Sequence, residues 1–197
     1  MSKSRLEAFS DGVLAIIITI MVLELHIPHG ADLAALKPIA PVFLCYVLSF
    51  VFVGIYWNNH HHMLQAVRRI SGDALWANLH LLFWLSLLPV VTGWMGTNDF
   101  TALPTALYGV ILLMSGVAYT ILSRALIAAD GKDSLLLKAI GPDRKGRASL
   151  ALYAVAIPVA FWKCWISQVV YVVVALMWLI PDRRIERLFG ARAEQAD

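Results

Sequence analysis

An ionisable side chain, Asp11, stands where a long apolar segment of this sequence begins. Residues 5–25 read RLEAFSDGVLAIIITIMVLEL, so an arginine, a glutamate, a serine and an aspartate lead directly into an apolar run. Placing a carboxylate at membrane depth costs free energy unless it is paired or faces protein or water. A residue of this kind is therefore a candidate functional residue. Asp11 is therefore the first candidate for a functional residue in this sequence.

The composition indicates an integral membrane protein. The chain has 197 residues, of which 60% are hydrophobic and 15% charged, and its mean hydropathy is +0.73. Soluble domains average about 45–50% apolar and about 25% charged residues. A helix needs about 20 mainly apolar residues to cross the hydrocarbon core. Six stretches qualify, at roughly 8–26, 39–60, 74–95, 104–127, 148–163 and 166–181.

The connections between these stretches are too short for a separate soluble domain. We therefore expect residues 1–197 to form one all-α domain of six transmembrane helices. The fifth and sixth stretches are short and share a tight turn around 163–167.

The distribution of basic residues predicts the orientation of the helices. Short cytoplasmic loops carry an excess of lysine and arginine. With the N-terminus inside, all but Lys37 and Lys163 of the 16 lysines and arginines fall on the cytoplasmic side. Both termini are therefore predicted to be cytoplasmic. The basic residues behind the net charge of +3 mark this topology and face anionic lipid headgroups. We therefore expect no nucleic-acid partner.

The first stretch divides into two faces when its residues are placed at about 100° intervals around a helix. Asp11 falls on the side opposite a stripe that contains Gly12, Ile16, Thr19, Ile20 and Leu23, with Glu24 at the edge of its outer end. Such a stripe commonly faces lipid or a neighbouring helix. It could also form a hydrophobic constriction if copies of the helix surround a pore, since such constrictions gate by dewetting. The spacing alone leaves both interpretations open.

Three motifs in the first ninety residues resemble one family. Arg5-x-x-x-Phe9-Ser10-Asp11-Gly12 is followed by AIIITIMVLE at residues 15–24. Tyr-Trp-Asn-Asn-His-His then ends the second stretch at 56–61, and the third contains Asn78 and a Leu-Leu-Pro at 87–89. This pattern is similar to the signature of the transmembrane-protein-175 family of potassium channels, in particular its prokaryotic single-repeat members. The second half matches only by its number of predicted spans.

The resemblance implies a homotetramer in which the first helix of each chain lines a central pore. It assigns Ile16, Ile20 and Leu23 to apolar constriction rings and Thr19 to a polar ring. It also implies that the signature motif anchors the first helix against the second and third. The residues implied in that anchor are Arg5, Phe9, Ser10 and Asp11, with Trp57, His60, His61 and Asn78 as partners.

Glu24 has two possible roles at the outer mouth: it could concentrate cations, as charged rings do, or be an interfacial carboxylate. The remaining expectations are potassium as the permeant ion, identical chains and the bilayer as partners, and no cofactor. A multi-pass location in a prokaryotic cell membrane is expected.

Other functional classes were weighed on the same residues. His60, His61 and His62 cannot all converge on one ion, because consecutive helical residues point about 100° apart, so we expect no metal site. The sequence has no G-x-S-x-G, H-E-x-x-H or Walker motif, so we expect no enzyme. A secondary transporter or proton-coupled exchanger that uses Asp11 and the helix-two histidines is the alternative. A non-conducting membrane scaffold is a third possibility.

Overall fold

Every secondary-structure element in the described part of this computed structural model is helical. The structure describes residues 2–131, 134–140 and 143–179, with the backbone alone at 138–140. The helices are α1 (Lys3–Leu23), α2 (Ala40–Gln65), α3 (Gly72–Ser86), α4 (Leu88–Thr97), α5 (Ala102–Asp130), α6 (Leu135–Ile140), α7 (Arg144–Val159) and α8 (Cys164–Leu179). A 3-10 helix at Leu33–Ile39 leads into α2. The all-helical fold class predicted from the sequence is therefore confirmed.

Within the described residues, four helical segments are long and apolar enough to cross a membrane. They are Lys3–Leu23, Leu33–Gln65, Gly72–Thr97 and Ala102–Asp130, and they coincide with the first four predicted spans. The fifth and sixth predicted spans coincide with α7 and α8, whose described parts have 16 residues each. Helices α1, α2 and α5 extend beyond the predicted apolar stretches into polar residues, because backbone hydrogen bonding does not require apolar side chains.

The third span bends between α3 and α4. Pro89 lacks the backbone N–H that would continue the helical hydrogen bonds, and the helix is interrupted at Leu87. The Thr92 hydroxyl donates to the Leu88 carbonyl oxygen at 2.6 Å and lies 2.6 Å from the Ser49 hydroxyl of α2. The Tyr108 hydroxyl of α5 lies 3.0 Å from the same Ser49 oxygen. These buried hydroxyls are therefore hydrogen-bonded, and they link the bend to both neighbouring helices.

The second half of the chain packs closely around α5. The Tyr171 hydroxyl of α8 donates to the Thr105 carbonyl oxygen at 3.0 Å. The Tyr171 side chain passes α5 at Gly109, where any Cβ atom would collide with the tyrosine hydroxyl. By contrast, α1 packs against α2, α3 and α4 only on one side. Within residues 2–131, 134–140 and 143–179, the opposite side of α1 is left uncovered.

Candidate pore-lining helix and its anchor

Helix α1 has one buried face and one exposed face. The residues buried against the rest of the chain are Leu6, Ser10, Leu14, Ile17 and Met21. The aliphatic stripe lies on the other side: Ile16 is 59% exposed, Ile20 42% and Leu23 76%. A Cβ atom added to Gly12, in the same stripe, would meet nothing within 4 Å. As far as the described residues go, this stripe is free to face lipid or other copies of α1.

Thr19 is exposed on the same face and has a fixed hydroxyl orientation. Its Oγ1 donates to the Ala15 carbonyl oxygen at 2.9 Å. The one hydroxyl hydrogen is therefore used within the helix, and the oxygen lone pairs remain as acceptors. An oxygen in this state can act as a cation ligand.

A chain of buried hydrogen bonds fixes the rotation of α1 against α2 and α3. The Ser10 hydroxyl donates to the Leu6 carbonyl oxygen at 2.8 Å and accepts from Asn78 Nδ2 at 3.0 Å. Asn78 Oδ1 lies 2.7 Å from His60 Nε2, so this histidine nitrogen carries the hydrogen. All three side chains are almost completely buried. Removing Asn78 would leave the His60 Nε2 hydrogen without an acceptor, and a buried donor without a partner costs about 1–3 kcal/mol.

Asp11 lies at the flank of this network and not at its centre. The Trp57 indole N–H donates to Asp11 Oδ1 at 3.0 Å, and both residues are exposed in the single chain. The Trp57 ring stacks on His61, with 6.2 Å between centroids and 18° between planes. Ser10, about 100° away on the helix, occupies the centre of the buried face instead. The sequence placed Asp11 towards the packed side, and the structure places it at the edge of that side.

Other motif residues lie on the open side of α1. Phe9 is 49% exposed, and Arg5 is exposed one turn earlier, so the structure does not bring either into the Ser10–Asn78–His60 chain. Glu24 ends α1 and is exposed. Its carboxylate lies beside α4, since a Cβ atom on Gly93 would be 3.7 Å from Glu24 Oε2.

One contact of α1 was not predicted from the sequence. Lys3 Nζ donates to the Gln65 and Val67 carbonyl oxygens, at 3.4 and 3.3 Å. A cation at the carboxyl end of a helix offsets the helix dipole, and here it links the start of α1 to the end of α2. The available signal was that Lys3 is one of the basic residues that predict the cytoplasmic side. Among the described residues, no group of three or more His, Cys, Asp or Glu side chains could hold a metal ion.

These features define a helical membrane protein whose first helix is anchored on one face and bare and aliphatic on the other. The family model described as "Endosomal/lysosomal potassium channel TMEM175" matches residues 5–89. The chain is also 55% identical over 187 residues to a potassium channel of Chryseobacterium sp. (strain P1-3), covering 95% of this chain and 97% of that protein. The protein belongs to the TMEM175 family, whose members are ion channels and not enzymes.

Two further comparisons extend this result. A crystal structure of a lysosomal potassium-selective channel TMEM175 homolog from Chamaesiphon minutus superposes with a TM-score of 0.77 at 25% identity. That match covers 91% of this chain and 97% of the other. The endosomal/lysosomal proton channel TMEM175 of Bos taurus is 34% identical over 116 residues, which are 53% of this chain and 24% of the bovine protein.

Proposed function

We propose that this protein is a potassium-selective, leak-type cation channel in which four identical chains place their α1 helices around a central pore. The observation that carries the proposal is the bare aliphatic stripe of α1, opposite a face held by buried hydrogen bonds. The 55% identity to a bacterial potassium channel and the superposition on a potassium-selective homologue support it. Closed rotational symmetry is the usual arrangement for identical chains.

The proposed topology has six spans, with both termini in the cytoplasm of a prokaryotic cell and the protein in its cell membrane. The described parts of α7 and α8 have 16 residues, which correspond to about 24 Å of helix. The hydrocarbon core is about 30 Å thick, and a short span is accommodated by local thinning of the bilayer. The distribution of lysine and arginine supports the orientation.

In the proposed mechanism, Ile16, Ile20 and Leu23 form successive apolar rings. An ion must shed part of its water to pass them, and potassium does so at a lower cost than sodium. Hydrophobic rings of this kind also gate by dewetting. Selectivity therefore depends on the diameter of the rings, and no cofactor takes part.

Two polar positions complete the proposed pore. The Thr19 oxygen, with its hydrogen already donated, supplies one acceptor per chain beside the apolar rings. Glu24 forms a ring of carboxylates at the outer mouth that raises the local cation concentration. The Ser10–Asn78–His60 chain and the Trp57–Asp11 bond hold α1 in the rotation that turns Thr19 and the aliphatic stripe towards the axis.

The direct test is to reconstitute the protein in liposomes and to record reversal potentials in potassium against sodium. We expect unitary currents that reverse near the potassium equilibrium potential. Ile16→Asn should reduce the selectivity several-fold, because an amide ring is wetter than an aliphatic one. Val173→Asn makes a similar change on an exposed part of α8 and should leave selectivity unchanged. Absence of current from folded tetramers would contradict the proposal.

Protons are the second candidate for the permeant ion. The bovine relative that aligns with 53% of this chain is named a proton channel. The same liposomes, with a pH gradient and no potassium gradient, test this reading. A reversal potential that follows the pH gradient would show proton permeation, and one that stays at zero would exclude it.

A further inference from the structure

A pocket lies between α2, α5 and α7, and none of its lining residues belongs to α1. Helices α2 and α7 touch where Phe52 meets the edge of Tyr153, with ring centroids 6.5 Å apart. From that contact the pocket extends along α2 to Asn59 and along α7 back to Asp143. Gly116 of α5 also lines the pocket, and the Leu150 side chain of α7 packs so closely on it that an added Cβ atom would lie 2.9 Å from Leu150 Cδ2. The space measures about 510 Å³, including the part open to the surroundings.

The walls and the mouth of this pocket differ in chemistry. The walls are mainly aliphatic and aromatic, and include Ile55, Tyr119, Leu150 and Trp178. Within the described residues, Asp143 is the only charged side chain that lines it. On the proposed topology, this carboxylate lies at the cytoplasmic membrane interface.

Charges of both signs lie in the chain around Asp143. Asp143 Oδ1 accepts the Gly146 N–H at 3.0 Å and caps α7. A carboxylate has about four acceptor sites, so this cap leaves capacity for a further donor. Arg144 and Arg147 follow on the first turns of α7, and both are exposed. The Asp143 carboxylate is thus followed in the sequence by the two guanidinium groups of Arg144 and Arg147.

We propose that this pocket binds one phospholipid with a primary-amine headgroup, such as phosphatidylethanolamine. An acyl chain lies between α2 and α7, the ammonium donates to Asp143, and the phosphate lies beside Arg144. A choline headgroup has no N–H to donate, and a glycerol headgroup has no positive charge for the carboxylate. Basic pockets between spans on the cytoplasmic side bind anionic headgroup groups, which is the part that Arg144 plays here. The inference rests on the proposed topology and not on ion conduction.

Native mass spectrometry of the purified protein tests the headgroup part. The protein is titrated with phosphatidylethanolamine, phosphatidylcholine and phosphatidylglycerol that carry the same acyl chains. We expect phosphatidylethanolamine to bind about tenfold more tightly than the others, since one hydrogen bond to a charged group accounts for such a factor. Equal binding of the three lipids would overturn the proposal.

Two pairs of variants locate the site. Asp143→Asn keeps an N-cap residue for α7 and should abolish the preference for the amine headgroup, whereas Asp73→Asn, at an exposed acid on α3, should keep it. Leu150→Phe fills the pocket and should weaken binding of all three lipids. Leu176→Phe, at an exposed position of α8, should not weaken it. A preference retained in Asp143→Asn, or unchanged binding in Leu150→Phe, would contradict the assignment.

Discussion

The junction of α1, α2 and α3 and the junction of α5, α7 and α8 bury polar groups in different ways. In the first, side chains of three helices bond to one another through Ser10, Asn78 and His60. In the second, side chains bond mainly to backbone carbonyls, as Tyr171 does to Thr105 and Ser167 to Ala156. Bonds between side chains depend on the rotation of every helix involved. The first junction therefore fixes the direction in which α1 presents its open face, and the second holds helices together.

Breaking the first junction should have the largest effect. Asn78→Ala removes a donor from Ser10 and the acceptor of His60, and both groups stay buried. We expect about 3 kcal/mol of lost stability, since a buried donor left without an acceptor at His60 costs about 1–3 kcal/mol and the lost bond to Ser10 about 1 kcal/mol more. Thermal unfolding in detergent measures it, with the exposed Asn58→Ala as control. Equal stability of the two variants would mean that the chain of bonds does not hold α1.

Breaking the second junction should have a smaller effect and leave the pore intact. Tyr171→Phe removes one hydrogen bond to a carbonyl that remains in the α5 helix. We expect a loss of about 1 kcal/mol, with potassium selectivity unchanged. The same unfolding assay and liposome recordings apply. A change of selectivity in this variant would show that the second half helps to shape the pore.

A substitution at Asp11, on the flank of the first junction, should have the smallest effect on stability. Asp11→Asn keeps an oxygen that accepts from Trp57 but removes the charge. We expect a slight fall in melting temperature and retained potassium current. The transporter reading makes the opposite prediction, because a proton relay through Asp11 would stop. Loss of all flux from a folded Asp11→Asn tetramer would favour that reading.

Much of the fold could be predicted from the sequence, because apolar length and basic loops are signals of composition. The helices at 3–23, 40–65, 72–97 and 102–130 follow directly from them. The open face of α1 was also accessible, since helical spacing separates Ile16 from Ile17 before any neighbour is known.

The hydrogen-bond partners on different helices could not be predicted from the spacing of residues along the sequence. Ser10 meets Asn78 only because α1 and α3 cross at that height, and the motif suggested this contact by its resemblance alone. The flank position of Asp11 depends on the angle at which α2 passes α1. The pocket at Asp143 depends on how far α2 and α7 separate around Gly116, which no local pattern encodes. The pore-lining role of the stripe stays a prediction.

Cysteine accessibility tests that role most directly. Leu23→Cys and Met21→Cys lie two residues apart, but Leu23 is 76% exposed and Met21 is 1% exposed. In a background without Cys45 and Cys164, a charged methanethiosulfonate reagent is added to the outer side during recording. The account predicts lasting loss of potassium current in Leu23→Cys and none in Met21→Cys. Unchanged current in Leu23→Cys, with a conducting tetramer, would mean that the stripe faces lipid and that the pore lies elsewhere.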